Sequence, residues 1–158
     1  VILAAPVSRA QFLAAKELAM FASVVIVGTA VAVGLLLGNV VGGLELAVGN
    51  IVAASVAVVL LGVLFGTVAL AVGAWTGQRR LTMAVAGGLA VLAFFVASFL
   101  PLSDALAGGA KLSPWYYYTS DVPLANGANY WHFAVLVVTS IVIYVVAQVG
   151  FRNRDLRG

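Results

Sequence analysis

No cysteine occurs in the chain, and His132 is its only histidine. Disulfides, thiolate metal sites and a cysteine nucleophile are thereby excluded, and one histidine makes no metal cluster. Charge is scarce as well: Asp, Glu, Lys and Arg make up 8% of 158 residues, against about 25% in soluble domains. No G-x-S-x-G elbow, H-E-x-x-H pair or Walker-type phosphate loop is present. The chain is therefore expected to be no enzyme and to hold no cofactor or metal. Its pI near 9.6 rests on eight Lys and Arg, too few and too scattered for a nucleic-acid footprint.

What the chain has instead is apolar side chain: 64% hydrophobic residues and a mean hydropathy of +1.16. A water-soluble fold of this size has too much surface to hide so much of it. That excludes an ordinary cytosolic enzyme, a disordered tail and a disulfide-stapled module. The composition predicts an all-α membrane protein, a polytopic bundle of transmembrane helices. Four apolar runs reach the roughly 20 residues a crossing needs, at about 18–38, 51–74, 83–100 and 133–151. They lack period-2 alternation, which favours helices over a β-barrel. None contains a charged side chain. Turn-forming or polar residues fence them: Gly38-Asn39 and Gly49-Asn50, Gln78-Arg79-Arg80, Pro101, and Arg152-Asn153-Arg154.

Loop charges predict the direction of crossing. Arg9, Lys16, Arg79, Arg80, Arg152, Arg154 and Arg157 fall on one side and Lys111 alone on the other. By the positive-inside rule both termini of this piece are cytoplasmic, and residues 102–132 are extracytoplasmic. Three small-residue pairs at helix-packing spacing, Gly34/Gly38, Gly62/Gly66 and Gly73/Gly77, are candidate contact points between helices or subunits.

The outer segment 102–132 is too long for a simple turn. It carries Pro114, Pro123 and the dense run Trp115, Tyr116, Tyr117 and Tyr118, with Tyr130 and Trp131 just before the last span. Such rings favour the headgroup level, so an interfacial belt is the first expectation. Short re-entrant or interfacial helices capping an exit path are the second. His132 is expected to be solvated or to cap the helix behind it.

Inside the spans lie Ser23, Thr29, Ser55, Thr67, Ser98, Thr139 and Ser140, hydroxyls that ordinarily bond to their own helix backbone. Ion-coupled carriers place ionisable groups inside the membrane. Here Glu45, Asp104, Lys111 and Asp121 sit beyond the spans on the outer side and Asp155 on the inner. A carrier driven by an ion gradient is therefore disfavoured, and energy for any transport is expected from another subunit.

Three stretches, in this order, carry a resemblance. They are A-P-V-S-R-A-Q-F-L-A-A-K (Ala5–Lys16), L-L-G-V-L-F-G-T-V-A-L-A-V-G-A-W-T-G-Q-R-R (Leu60–Arg80) and L-S-P-W-Y-Y-Y-T-S-D-V-P-L-A-N-G (Leu112–Gly127). A final span and F-R-N-R-D-L (Phe151–Leu156) follow. The order resembles the membrane subunits of ABC type-2 transporters, across nearly the whole chain. The resemblance implies six helices per subunit, with these four spans as helices three to six. The first two spans and an amphipathic N-terminal helix would then precede Val1. The chain would be a permease subunit of an ATP-driven exporter in the plasma membrane, paired with a second permease subunit. ATP and Mg would be bound by a separate ABC ATPase subunit. Arg9 and Lys16, then Arg79 and Arg80, become candidates for the surface that couples to that ATPase, though such cations serve equally to fix topology. The alternative is a small multipass assembly or anchoring protein that packs against partner helices without moving substrate.

Overall fold

The structure, a computed structural model, describes residues 8–153. Arg154, Asp155 and Arg157 of the charge pattern, and the start of the Ala5–Lys16 stretch, lie outside the described residues. Helices make up the architecture in this order: α1 Arg9–Gly42, α2 Val48–Thr76, α3 Arg79–Phe99, α4 Pro114–Thr119, α5 Pro123–Asn126 and α6 Tyr130–Asn153. Two 3-10 turns, Leu100–Leu102 and Ala107–Leu112, join α3 to α4. No strand occurs among the described residues. Four helices (α1, α2, α3 with its 3-10 extension, and α6) are long and apolar enough to cross a membrane.

Each long helix overruns the apolar run that announced it. The largest extension is at the start of α1, where Ser8 and Gln11 form a capping box. Ser8 Oγ accepts from the Gln11 N–H at 3.2 Å, and Gln11 Oε1 accepts from the Ser8 N–H at 3.0 Å. Two otherwise orphaned donors are satisfied there, so the helix begins about ten residues before the expected span. Its 34 residues reach about 51 Å, far beyond a hydrocarbon core of about 30 Å.

The first loop is correspondingly shorter than Gly38-Asn39 and Gly49-Asn50 suggested. Asn39 stays helical and turns its amide on the loop, donating to the Leu46 carbonyl at 3.0 Å and accepting from the Leu46 N–H at 2.9 Å. The turn itself is made at Gly43, φ +59°. Gly77 makes the next one: at φ +67° it donates its N–H to the Gly73 carbonyl at 2.8 Å, closing α2 before Arg79 opens α3.

α2 is the hub, packed against α1, α3 and α6 along its length and against the short helices at one end. Leu13 of α1, Ala74 of α2 and Ala147 of α6 form a buried cluster, flanked by Leu70, Ala71 and Phe151. The outward faces are apolar too: Ile26 is 70% exposed and Met83 66%. An apolar exterior around a small core suits a chain solvated by lipid.

Candidate functional site

The helix ends sort the cations. Arg9 Nη1 donates to the Arg152 carbonyl at 3.4 Å, which joins the start of α1 to the end of α6. Trp75, near the end of α2, donates its indole N–H to the Val146 carbonyl at 3.1 Å and packs on Gly150. Arg9, Lys16, Arg79, Arg80 and Arg152 thus gather at one end of the bundle, all exposed, while Glu45, Asp104, Lys111 and Asp121 lie toward the other. Lys16 holds its ammonium 5.0 Å from the centre of the Phe12 ring, which itself stacks on Phe151 at 6.1 Å.

The small-residue pairs separate into different jobs. Gly62 and Gly66 face α1, where an added methyl would meet Val24 and Met20. Gly73 faces Thr82 across the α2–α3 hairpin. Gly77 is a helix-terminating residue, not a packing one. Gly34 and Gly38 face open space with no neighbour within 4 Å, and are exposed. Two close approaches that the pairs did not single out are at Gly28, which meets Val59 of α2, and Gly150, which meets Trp75 of α2.

The aromatic run divides similarly. Tyr130 and Trp131 are 81% and 72% exposed at the start of α6, as a belt would have them. Trp115 is instead level with the middle of the α2–α3 hairpin. Its indole donates to the Ala90 carbonyl at 3.2 Å, and its ring meets Phe65, Phe94 and Tyr118. Ala90 lies eleven residues into α3 and Phe65 eleven residues from the end of α2, so α4 dips well below the helix ends. Ser113 caps α4, accepting from the Trp115 N–H at 3.3 Å and donating to the Ala93 carbonyl at 2.5 Å. Beneath α4 is an apolar cavity of about 410 Å³ between α2, α3 and α6. Leu64, Phe65, Val96 and Ile143 contribute to its wall; its two hydroxyls, Ser113 and Thr139, are both spent on backbone carbonyls.

At the end of the bundle away from the cations, His132 is neither solvated nor a cap. Its Nδ1 lies 3.0 Å from Asp121 Oδ2, and its ring packs on Tyr116 and Tyr117 at 5.8 and 5.1 Å. The cap of α6 is Asn129, whose Oδ1 accepts from the Trp131 and His132 N–H groups at 3.0 and 3.2 Å while its amide donates to Asp121.

The apolar runs hold no charged side chain, but α1 begins before the first of them. The extension of α1 carries Glu17 to a point beside Thr67 of α2, and Thr67 Oγ1 stands 2.7 Å from Glu17 Oε1. Thr67 is fully buried and lies nine residues, about 13 Å, from the end of α2. Oε2 of Glu17 is buried with no hydrogen-bond partner. One turn of α6 below, Gln148 donates to Tyr144 Oη at 2.7 Å and to the Ala10 carbonyl at 3.4 Å, and its own Oε1 is also without partner. Glu17 stands eight residues into the 34 of α1, and a carboxylate on the packed face of a membrane-length helix is a candidate functional group. Sequence reasoning missed it because Glu17 stands one residue outside the apolar run. The available signal was its helical spacing with Leu13, Met20 and Phe21, which puts it on the packed face of α1.

Five of the other span hydroxyls, Ser23, Thr29, Ser55, Thr139 and Ser140, each donate to the carbonyl four residues back, as expected. No group of His, Cys, Asp and Glu that could hold a metal occurs among the described residues. Comparison of the chain with protein-family models, with curated proteins and with solved structures gives no match.

Proposed function

We propose that this chain is the helix-bundle part of a permease subunit in an ATP-driven exporter of the ABC type-2 kind. It is set in the plasma membrane with its cationic end on the cytoplasmic side. The observation that carries the reading is the apolar cavity under the re-entrant α4, walled by three membrane-length helices and free of ionisable side chains. A path of that chemistry holds hydrophobic cargo by shape and dispersion and supplies no coupling group of its own. The work must then come from a partner. The cationic end formed by Arg9, Lys16, Arg79 and Arg80 offers a surface for a separate ATPase whose closure would tilt the helices. A second permease subunit would complete the path.

The test is purification of the natural full-length protein in nanodiscs, followed by ATPase measurement. Co-purification of an ABC ATPase is expected. Reversing charge at Arg9 and Lys16 is expected to weaken hydrolysis about tenfold, because opposed charges at a docking rim are repulsive. A permease that carries no ATPase under conditions preserving such complexes would overturn the reading in favour of an assembly or anchoring protein. Glu17 favours a second reading, an ion-coupled carrier. Transport that collapses on dissipating the ion gradient while ATP is held constant would select it.

A further inference from the structure

A second cleft, between α1, α2 and α6, differs from the cavity under α4 in one respect: it contains a carboxylate. It holds about 220 Å³, walled by Phe21, Leu60, Val63, Val137 and Ile141, with Glu17, Ser140 and Tyr144 supplying its polar atoms. Two of the donors nearby are already committed, and the Tyr144 hydroxyl, which accepts from Gln148, makes no hydrogen bond to Glu17 Oε2. Ser140 donates to the Leu136 carbonyl at 2.8 Å, and the Gln148 amide is taken by Tyr144 and Ala10. Thr67 has one proton for both Glu17 Oε1 and the Val63 carbonyl at 2.8 Å. Glu17 Oε2 is therefore a buried acceptor that no side chain of the described fold satisfies.

Buried acceptors without partners are costly, and charged ones more so. A ligand that brings N–H donors and positive charge removes that cost, and the rings of Phe21 and Tyr144 at the cleft add attraction for a cation. Phe21 is 45% exposed and Ile141 57%, so the cleft opens on the apolar outside of the bundle. A ligand arriving there comes from the acyl-chain region and must itself be largely apolar.

We propose that the Glu17 cleft binds a primary amine carried on an apolar chain. The ammonium donates to Glu17 Oε2 and the chain lies along Leu60, Val137 and Ile141. The site does not depend on the ATPase assignment, and amine binding persists whether or not an ATPase co-purifies.

The probe is a dodecylamine bearing a chain diazirine, photolysed with the full-length protein in zwitterionic nanodiscs and mapped by peptide mass spectrometry. Labelling is expected around Phe21 and Val137–Ile141, with the matched dodecanol probe labelling about tenfold less or weaker still. E17Q is expected to bring the amine down to the level of the alcohol. I141W fills the mouth of the cleft while leaving the Glu17–Thr67 contact in place, and is expected to abolish labelling without a change in melting temperature. Equal labelling by amine and alcohol would overturn the proposal, as would undiminished labelling of a folded E17Q or I141W protein.

Discussion

The hydroxyl of Thr67 stands 2.7 Å from Oε1 of Glu17 and 2.8 Å from the carbonyl of Val63, with a single proton for two acceptors. α1 is tied to α2 by this contact, made on the fully buried Thr67.

The pair predicts an asymmetric mutational response. T67V keeps the shape and removes the donor, leaving the Glu17 carboxylate wholly unpaired. A loss of about 1–3 kcal/mol is expected, read from unfolding in detergent. E17L removes the demanding partner while Thr67 keeps Val63, so it is expected to be neutral or stabilising. The double variant E17L/T67V should accordingly be more stable than T67V alone. A T67V protein as stable as the parent would show that the contact contributes nothing.

Glycine identity predicts a second contrast. A methyl at Gly28 would drive into Val59, whose branched side chain is held in one rotamer by its own helix. G28A is expected to cost about 1–3 kcal/mol by overpacking. G66A meets the sulfur of Met20, a flexible chain that bends away, and should cost less. G34A and G38A enter open space and are expected to be neutral or to stabilise the helix by up to about 1 kcal/mol. Thermal melts of the four single variants rank them. G34A destabilising as much as G28A would place a partner helix on that face.

How far the sequence foretold this arrangement depends on which residues are asked. Apolar run length located the four helices long and apolar enough to cross a membrane, because lipid solvation asks for apolar character at every residue and so leaves an unbroken signal. Helix ends were less legible. The Ser8–Gln11 capping box and the Asn39–Leu46 clamp are made by polar residues that hydropathy reads as loop. Spacing of glycines marked Gly62 and Gly66 correctly as close approaches, yet gave the same mark to Gly34 and Gly38, which touch nothing. Trp115 belonged by composition with Tyr130 and Trp131; only the fold back from Pro101 to Ser113 brings it beside Ala90. Glu17 was hidden for the same reason as the caps: its environment is supplied by Thr67, fifty residues away.

The absence of cysteine permits a clean test of direction. Arg79 and Lys111 are both exposed and at opposite ends of the bundle. R79C and K111C would each carry the sole thiol of this chain. A membrane-impermeant maleimide added to intact cells is expected to label K111C at once and R79C only after permeabilisation, following the positive-inside rule. The reverse pattern would turn the cationic end outward and remove the docking surface proposed for an ATPase.

Asn129 predicts a substitution that fails against its usual rank. Asp and Asn are nearly equal as helix N-caps, so N129D would ordinarily be harmless. Here the side chain has two duties. Its Oδ1 caps α6 through the Trp131 and His132 N–H groups, which Asp can still do. Its amide donates to Asp121, where Asp would set one carboxylate against another. N129A loses the cap and is expected to cost about 1 kcal/mol; N129D is expected to cost at least as much, from like-charge repulsion in a half-buried site. Exchanging the pair, N129D/D121N, returns a donor to position 121 and an acceptor to 129, and should recover most of the loss. His132 then faces an amide in place of a carboxylate, so recovery will stop short of the parent. Melting temperatures of the three variants form the cycle. If the exchange recovers nothing, the contact between positions 121 and 129 is not what holds the start of α6 to the segment before it.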